Sequence, residues 1–504
     1  MSSMQGRCAV RGATLRGVEA VPVDVEVVVS SGMPAFCIVG MADAAVQEAR
    51  ERVRAAVRAS GFSMSNDRVV VNLAPAALRK TGSGFDLPIA VGLLAATGQI
   101  DPRVCEGALL VGELSLEGAV RPVDGLMAYA LAARDQGLDL VCADAPERLV
   151  AIEGLVQRGA RTLSTFRTGD FVDLKAPHFS RVRNAPDFRD VAGHDMAKRA
   201  LQIAAAGGHG VLMMGPPGSG KTMLASRLPS ILPPLTEQEM LESALVCSVA
   251  GEEVSGVLGG LRPFRSPHHS ASLAGLVGGG SPPRPGEISL AHAGVLFLDE
   301  LAEFKPSVLQ GIRQPVESGR VTVTRADGSV SFPARFMLVA ASNPCPCGYS
   351  GDEEHACSCT VAQIRAYQNR IGGPLMDRID VHIDVCRIAP GEVLSSGGGS
   401  SSDELREGVL KARAYSSWRT AREGGNAKRH DTAASLIKAC ALTDEDRAFY
   451  EDAARAASMS GRAIMRTLAV ARTIADMEEA AAVTKSHLCE ALAFRLREGV
   501  GACL

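Results

Sequence analysis

The chain is poor in aromatic residues: its 504 residues include one Trp and five Tyr, and aromatics make up 4%. Few rings are therefore present on which single-stranded bases could stack, so any contact with nucleic acid would have to rely on backbone phosphates. An excess of charge of one sign is also missing, because 53 Lys and Arg face 56 Asp and Glu, for a net charge of −3. This balance excludes a polycation and leaves only local basic patches for nucleic-acid contact.

Long apolar runs are missing as well. No stretch approaches the ~20 residues needed to span a bilayer, and DLPIAVGLLAA (86–96) is too short. The opening residues, MSSMQGRCAV, lack the apolar core of a signal peptide, so we expect a cytoplasmic protein. Thirteen cysteines in such a chain predict reduced thiols or metal ligands in place of disulfides.

Shifts in composition predict three domains. Residues 1–175 alternate short β-type runs with helical ones, which predicts an α/β domain without a phosphate loop of its own. A proline-broken polar stretch at 176–189 predicts a linker. Strands and helices alternate again over 190–392, as expected of a parallel sheet flanked by helices. The Gly/Ser run at 393–403 predicts a flexible spacer, and residues 404–504 predict an all-helical domain.

A glycine-rich motif, GPPGSGKT (215–222), follows a predicted strand and opens a predicted helix. The backbone N–H groups of such a turn wrap phosphate oxygens at a helix N-terminus. Lys221 would neutralise the β- and γ-phosphates, and the Thr222 hydroxyl would hold Mg²⁺. The predicted nucleotide-contacting residues are Gly215, Pro216, Pro217, Gly218, Ser219, Gly220, Lys221 and Thr222.

A second nucleotide motif, VLFLDE (295–300), has the form of a buried strand that ends in carboxylates. Asp299 would reach the metal, and Glu300 would activate a water molecule. A lone phosphate-loop pattern arises by chance, whereas a correctly placed second half makes coincidence a poor explanation. The sequence therefore predicts that the protein binds and hydrolyses a nucleoside triphosphate.

Two further polar residues are candidates for the same reaction. The run FMLVAASN predicts a buried strand that ends at Asn343, where an amide beside the phosphate loop could orient the attacking water. The alternative is a turn-forming Asn before Pro344. Arg378 lies between two acids in GPLMDRID (373–380), which is also typical of a surface ion-pair cluster. If subunits form a ring, Arg378 could instead act on a neighbour's γ-phosphate as an arginine finger, worth ~10³–10⁵ in rate.

Five motifs, in order along essentially the whole chain, resemble the YifB/ComM family of magnesium-chelatase-like AAA+ proteins. They are GVLGGLRPFRSPHHSAS (256–272), PRPGEISLAHAGVLFLDELAEF (283–304), ASNPCPCGY (341–349), GPLMDRIDVHIDV (373–385) and SGRAIMRTLAVARTIADM (460–477). The resemblance implies an α/β fold: a Lon-protease-like α/β N-terminal domain, an AAA+ P-loop core with a parallel sheet, and an all-α C-terminal lid.

The same resemblance implies a homo-hexameric ring with an insertion between the two nucleotide motifs. It also implies ATP-driven branch migration of DNA in recombination, notably in natural transformation. On the family's pattern Asn343 matches sensor 1, and Arg378 matches the arginine finger that acts in trans. Arg462 matches sensor 2, with Arg466 one turn later as the alternative.

Two inserts are candidates for binding DNA. One is residues 261–280, which end in a glycine-rich stretch, and the other is a predicted hairpin at 321–335. In a ring such loops would line a central pore and give it a positive lining with little sequence preference. The alternative is that these cations brace subunit contacts or phosphates. The candidate DNA-contacting residues are Arg262, Arg265, His268, His269, Arg320 and Arg325.

Four cysteines lie within fifteen residues, in the pattern CPC-x₉-CSC. Paired thiols that are separated by a hairpin-length segment can converge on tetrahedral Zn²⁺ and so staple a polar loop. The alternatives are reduced thiols or a redox-labile pair, and His355 is a competing ligand. The candidate zinc ligands are Cys345, Cys347, Cys357 and Cys359.

The N-terminal domain resembles the catalytic domain of Lon-type proteases in two stretches, residues 110–138 and 81–98. A Ser–Lys dyad needs a hydroxyl that a desolvated amine activates. Where the Lon pattern has a lysine this chain has Met127, whose thioether cannot take a proton. Ser83 and Lys80 remain nearby, with local loop geometry as their expected role. We therefore expect a Lon-like fold without peptidase activity, serving assembly or DNA contact.

Three functions follow from these observations. The first is an ATP-driven ring that moves branched or duplex DNA. The second is a magnesium-chelatase-type ATPase that remodels a protein partner, although this chain has no acidic metal-chelating tail. The third, an ATP-dependent protease, is disfavoured by Met127.

Overall fold

The structure is a computed structural model. It describes residues 6–495 apart from 65, 176–185, 326–327, 353, 372, 389–390, 392–398 and 423–431. Most of the predicted linker at 176–189 and of the predicted spacer at 393–403 therefore lies outside the described residues. None of the helices within this part of the chain is both long enough and apolar enough to cross a membrane.

An eight-stranded mixed sheet forms the N-terminal domain. Its strands are β1 (Gly6–Arg16), β2 (Glu19–Ser30), β3 (Ala35–Val39), β4 (Arg68–Ala74), β5 (Ala108–Leu110), β8 (Asp139–Ala143), β9 (Gln157–Ala160) and β10 (Val172–Asp173), with a separate pair β6 (Glu113–Leu114) and β7 (Val120–Arg121). The order in the sheet is β10-β9-β8-β5-β1-β2-β4-β3. The helices are α1 (Ala44–Ala59), α2 (Asp86–Ala96), α3 (Leu126–Asp135) and α4 (Thr165–Thr168).

Strand β2 and helix α2 show how the sequence builds this domain. In β2 the valines at 23, 25, 27 and 29 are buried and alternate with more exposed residues, as a strand with one covered face requires. All eleven residues of α2 are buried, so the apolar run at 86–96 is a core helix and not a membrane segment. A Cβ atom on Gly92 would lie 2.9 Å from a methyl group of Val27. The glycine therefore lets the helix approach the sheet closely.

The central domain is built on a five-stranded parallel sheet with the order β12-β15-β18-β11-β19. These strands are β11 (Val211–Met214), β12 (Phe264–Arg265), β15 (Val295–Leu298), β18 (Met337–Ser342) and β19 (Val381–Asp384). The helices are α5 (Asp195–Gly207), α6 (Lys221–Ile231), α7 (Glu237–Ala250), α8 (Ser255–Leu258), α9 (Leu273–Val277), α10 (Glu287–Leu290), α11 (Pro306–Ser318), α12 (Val361–Asn369) and α13 (Gly373–Met376). Every residue of β11, β15 and β18 is buried, as expected where helices cover both faces of a sheet. The predicted parallel sheet is thus confirmed.

Two small antiparallel pairs are added to this core. Strands β13 (Gly278–Gly279) and β14 (Arg284–Pro285) pair within the first insert. Strands β16 (Arg320–Arg325) and β17 (Gly328–Pro333) form the predicted hairpin, whose register brings Arg325 opposite Gly328. The hairpin prediction is therefore confirmed, with residues 326–327 outside the described chain.

The C-terminal region is helical, as predicted. Its described helices are α14 (Ser402–Arg422), α15 (Ala433–Cys440), α16 (Asp444–Ala456), α17 (Gly461–Met477) and α18 (Lys485–Ala493). Apolar residues of α14, α17 and α18 share one core cluster with α5, α6 and the central sheet. The C-terminal helices are therefore packed onto the central domain.

Met127 lies in the contact between the N-terminal domain and the central one. Its side chain is 2% exposed and packs in a cluster with Val246, Cys247 and Leu290. The backbone N–H of Met127 donates to Oγ of Ser248 (3.2 Å), and that of Gly125 donates to the Ser248 carbonyl (2.7 Å). Met127, for which the resemblance to Lon-type proteases implies the place of a catalytic lysine, is thus part of an apolar interdomain contact.

Candidate nucleotide site

The phosphate loop joins the end of β11 to the start of α6. Gly218 and Gly220 have φ values of 78° and 88°, a backbone conformation that favours glycine. The ammonium of Lys221 donates to the carbonyls of Gly215 and Pro216, both at 2.8 Å. Burial lowers the pKa of Lys221, and the nearby carboxylate of Asp299 partly offsets this effect. The loop thus holds a cation at a helix N-terminus, where phosphate oxygens bind favourably.

The ends of three neighbouring strands bring the predicted groups together. Because β18 lies between β11 and β15, Asn343 falls between the phosphate loop and Asp299. The Asn343 side-chain oxygen lies 3.5 Å from Nζ of Lys221. The Thr222 hydroxyl donates to a carboxylate oxygen of Asp299 at 2.7 Å. Hydroxyl and carboxylate oxygens are ligands that Mg²⁺ prefers, so these two adjacent residues fit a magnesium-bound triphosphate.

Glu300 follows Asp299 in a left-handed backbone conformation, with φ 51°. Its backbone N–H donates to a carboxylate oxygen of Asp299 (2.9 Å). Its own carboxylate is half exposed and lies 3.1 Å from Nδ1 of His269. His269 belongs to the insert at 261–280, so the sequence prediction of a DNA contact missed this relationship. Nothing in the motif PHHS (267–270) indicates that His269 would contact Glu300.

Arg378 and Arg462 lie at the end of the sheet that is opposite to the phosphate loop. Strand β19 runs parallel to β11, with Val381 opposite Val211. Arg378 precedes β19, whereas the phosphate loop follows β11. The Arg378 guanidinium pairs with Glu317 at 2.6 Å, and Arg378 and Arg462 line one cavity of about 630 Å³.

Arg466, the alternative sensor residue, is engaged within the subunit. Its guanidinium binds the carbonyl of Arg378 (2.9 Å) and the carboxylate of Asp380. Asp380 is buried and also accepts from His209 at 3.2 Å. Burial acts to raise the pKa of Asp380, but the contacts with His209 and Arg466 outweigh it and hold that pKa well below its usual range. This network fastens the lid helix α17 to the central sheet.

The cations of the first insert differ in their surroundings. The Arg262 side chain is 9% exposed, pairs with Glu239, and donates to the backbone carbonyls of Pro233, Pro234 and Ala293. Arg262 therefore braces the domain interior.

Arg265 binds two carboxylates, Glu252 and Glu287, at 2.6–3.1 Å. These contacts lie within the subunit, whereas the alternative given above has the cations brace subunit contacts or phosphates. His268, by contrast, is exposed and its ring contacts that of His269, with centroids 4.1 Å apart and planes tilted by 34°. In the hairpin, Arg320 and Arg325 are also exposed.

The four cysteines of the CPC-x₉-CSC pattern converge. Their Sγ atoms all lie within 4.8 Å of one another. Cys345 is buried, and Cys347, Cys357 and Cys359 are partly buried. The competing His355 instead stacks on Tyr349, with centroids 5.0 Å apart.

Ser83 and Lys80, the residues of the Lon-like stretch, each contact another group and not each other. The Ser83 hydroxyl donates to the carboxylate of Glu113. Lys80 is fully buried, and its ammonium donates to the carbonyl of Pro75. These contacts give both side chains a role in local loop geometry.

Family models match three parts of the chain. The model described as "Magnesium chelatase, subunit ChlI" matches residues 187–393. The model described as "Subunit ChlI of Mg-chelatase" matches residues 25–145. The model described as "Magnesium chelatase, subunit ChlI C-terminal" matches residues 399–495.

Similar proteins agree with this result. The chain is 42% identical over 489 residues to the uncharacterized protein YifB of Salmonella typhimurium, with 95% of each chain covered. It is 42% identical over 497 residues to the competence protein ComM of Haemophilus influenzae, again with 95% of each covered. A match to the magnesium-chelatase 67 kDa subunit of Chlorobaculum parvum is 32% identical over 164 residues, 31% of this chain and 23% of that protein.

The similarity to YifB and ComM is therefore nearly end to end, while that to the chelatase subunit is confined to a part. The phosphate loop, the Asp–Glu pair and the parallel sheet fit the ATPase activity that this similarity suggests. The chain belongs to the YifB/ComM family of magnesium-chelatase-like AAA+ ATPases.

Proposed function

We propose that this protein is an ATP-driven homo-hexameric motor that acts on DNA. Its reaction would be branch migration of recombination intermediates, of the kind needed in natural transformation. The observation that carries the proposal is the separation of Arg378 and Arg462 from the phosphate loop of the same subunit. The similarity to a relative named as a competence protein supports the choice of substrate.

The separation follows from the parallel sheet. Strand β11 has four residues, and at about 3.3 Å per residue it spans about 13 Å. The phosphate loop lies beyond one end of this strand, and Arg378 lies before the other end of its neighbour β19. Arg378 cannot reach a nucleotide held by its own subunit, so it is available to a neighbouring copy.

A contact of this kind is head-to-tail, because one edge of a subunit meets the opposite edge of the next. Such contacts close into rings when the rotation permits. In a ring, every nucleotide would lie between Lys221 of one subunit and Arg378 of another copy. The ion pair with Glu317 would hold Arg378 until the neighbour's phosphate competes for its guanidinium.

Each residue of the nucleotide site then has a role. Lys221 and the loop N–H groups bind the phosphates, and Thr222 and Asp299 hold Mg²⁺, which would neutralise charge on the phosphate oxygens. Glu300 accepts the proton of the attacking water, and Asn343 orients that water. Arg378 and Arg462 stabilise the charge that develops on the transferred phosphoryl group, worth ~10³–10⁵ in rate for an arginine finger.

The DNA contact is assigned to the hairpin at 320–333 and to His268. Arg320 and Arg325 are exposed, whereas Arg262 and Arg265 are bound to groups of their own domain. Repeated by six subunits, the hairpin arginines would form a positive lining that grips phosphates with little sequence preference.

A second candidate is an ATPase that remodels a protein partner. The match to a magnesium-chelatase subunit favours it, although that match covers 31% of this chain. A protease is not supported, because Met127 is buried in an interdomain contact and Lys80 donates to a backbone carbonyl.

ATP hydrolysis by the purified protein, with and without a four-way DNA junction at fixed moderate salt, tests the proposal. We expect stimulation by the junction, which Arg378→Ala abolishes. Arg370→Ala is the matched control, since Arg370 is exposed and pairs weakly with Glu303 at 3.7 Å. Turnover that is indifferent to any DNA would favour the remodelling function instead.

A further inference from the structure

We propose that Cys345, Cys347, Cys357 and Cys359 bind one Zn²⁺, and that this zinc loop holds the phosphate loop in its nucleotide-binding shape. The inference rests on the phosphate-binding role of the loop at 215–222. It does not depend on DNA or on ring formation.

The sulfur positions fit a tetrahedral metal. Sγ of Cys345 lies 3.3 Å from that of Cys347 and 3.7 Å from that of Cys357, and the latter two are 3.5 Å apart. A zinc ion with Zn–S bonds of about 2.3 Å separates its sulfur ligands by about 3.8 Å. A disulfide needs about 2.05 Å, so these sulfurs are not oxidised pairs, and their spacing is close to that of ligands that share one ion.

Backbone groups around the sulfurs fit thiolate ligands. The N–H of Ser350 points to Sγ of Cys345 at 3.3 Å, and the N–H of Cys359 points to Sγ of Cys357 at 3.4 Å. Hydrogen bonds to ligating atoms orient them and offset their negative charge. The described residues from 344 to 360 form no helix or strand, so a metal supplies the cross-link that secondary structure does not.

The cysteine loop is in direct contact with the phosphate loop. Gly348 has a φ of 88°, and a Cβ atom there would lie 2.7 Å from Cδ of Pro217. The backbone at Gly348 therefore packs against the ring of Pro217 with no room for a side chain. Cys345 is also only two residues from Asn343, the proposed water-orienting residue.

Arg387 connects the two loops a second time. Its guanidinium donates to the carbonyl of Pro217 at 3.4 Å. It also pairs with Asp352 at 3.4 Å and lies 5.7 Å from the ring centroid of Tyr349. Asp352 and Tyr349 both belong to the segment between the cysteine pairs, so the shape of that segment sets the position of Arg387 on the phosphate loop.

The first test measures metal in the full-length protein without nucleotide. We expect one zinc per chain by elemental analysis, a loss of zinc in Cys357→Ser and Cys359→Ser, and full zinc in Cys37→Ser and Cys489→Ser. The two control cysteines are exposed and lie outside the cluster. A protein that contains no metal, or that contains iron with visible absorbance, would overturn the zinc assignment.

The second test measures the affinity for a fluorescent ATP analogue in excess Mg²⁺. Removing zinc with a zinc-selective chelator should weaken binding about tenfold or more while circular dichroism keeps the helical signal, and added zinc should restore it. Nucleotide affinity that is unchanged after zinc is lost would overturn the link between the two loops.

Gly348→Ala tests the same link where a cysteine variant does not fold. It leaves the four thiols in place but forces the two loops apart, so we expect full zinc with weakened nucleotide binding. Full zinc with unchanged binding would contradict the contact as the means of coupling. If wild type itself binds no nucleotide analogue, the assigned role of the phosphate loop fails, whatever the metal content.

Discussion

Nδ1 of His269 lies 3.1 Å from a carboxylate oxygen of Glu300. The two residues belong to different segments of the central domain. His269 lies in the insert between the nucleotide motifs, and Glu300 follows the end of strand β15. The ring of the neighbouring His268 contacts that of His269, and His268 is itself exposed. A contact made by the insert can therefore alter where the carboxylate of Glu300 points.

His269→Ala should raise ATP hydrolysis in the absence of DNA. The imidazole draws the Glu300 carboxylate toward the insert, and its removal frees the carboxylate to meet the attacking water. Losing one such partly exposed hydrogen bond, worth about 1 kcal/mol, corresponds to roughly a fivefold change in rate. His268→Ala is the matched control and should keep the DNA-free rate. A drop in the rate of His269→Ala, to the level of Glu300→Gln, would contradict this role.

Glu300→Gln should retain ATP without hydrolysing it. The amide cannot accept the proton of the water, which costs about 10²–10⁴ in rate, while Lys221, Thr222 and Asp299 still hold the nucleotide. Nucleotide retained after gel filtration, together with single-turnover hydrolysis, measures both properties. Lys221→Ala is the contrasting variant, which should retain no nucleotide. Normal turnover by Glu300→Gln would reject Glu300 as the base.

Replacing Arg320 and Arg325 together by Ala should weaken DNA binding to the same extent on unrelated sequences. Phosphate contacts carry no sequence information, and each one lost reduces the dependence of affinity on salt. Fluorescence anisotropy with two DNA sequences over a salt series measures both effects. Arg455→Ala on the lid, 77% exposed, serves as the control. An unchanged salt dependence would remove the hairpin from the DNA contact.

Asp380→Asn should be less stable than wild type at neutral pH, and the deficit should shrink in acid. The pKa of Asp380 is depressed in the folded protein, chiefly by His209 and Arg466, although burial acts to raise it. Such a group contributes its full stabilisation above its unfolded pKa of about 3.9 and loses it as the pH falls from there toward the depressed pKa of the folded state. Melting temperatures of both proteins between pH 7 and about pH 2 test this, and a constant difference over that range would contradict it.

The proximity of the candidate nucleotide-site residues could be predicted because these residues belong to short local motifs. Lys221 and Thr222 belong to one eight-residue motif, and Asp299 and Glu300 to one strand end, so the motifs define both chemistry and position. Asn343 could be placed beside them because parallel strands end at the same edge of a sheet.

Contacts between distant segments were not predictable. The charge of Arg262 and Arg265 predicts either a DNA contact or a brace at subunit contacts or phosphates. In the structure their carboxylate partners include Glu239 and Glu287, 22–23 residues away. The contact of Arg387 with Pro217 spans 170 residues and carries no motif. Charge is visible in a sequence, but the partner that neutralises it is set by the tertiary fold.

The most direct test of the account asks whether each ATP site is completed by a neighbouring subunit. Glu300→Gln lacks the base but has Arg378, and Arg378→Ala lacks the arginine but has the base. We predict that each variant alone hydrolyses ATP at a background rate and that their mixture, assembled with nucleotide and a four-way junction, recovers activity. Recovery is expected because Arg378→Ala sites receive the arginine of a Glu300→Gln neighbour. A mixture no more active than the sum of its parts would contradict a site shared between subunits.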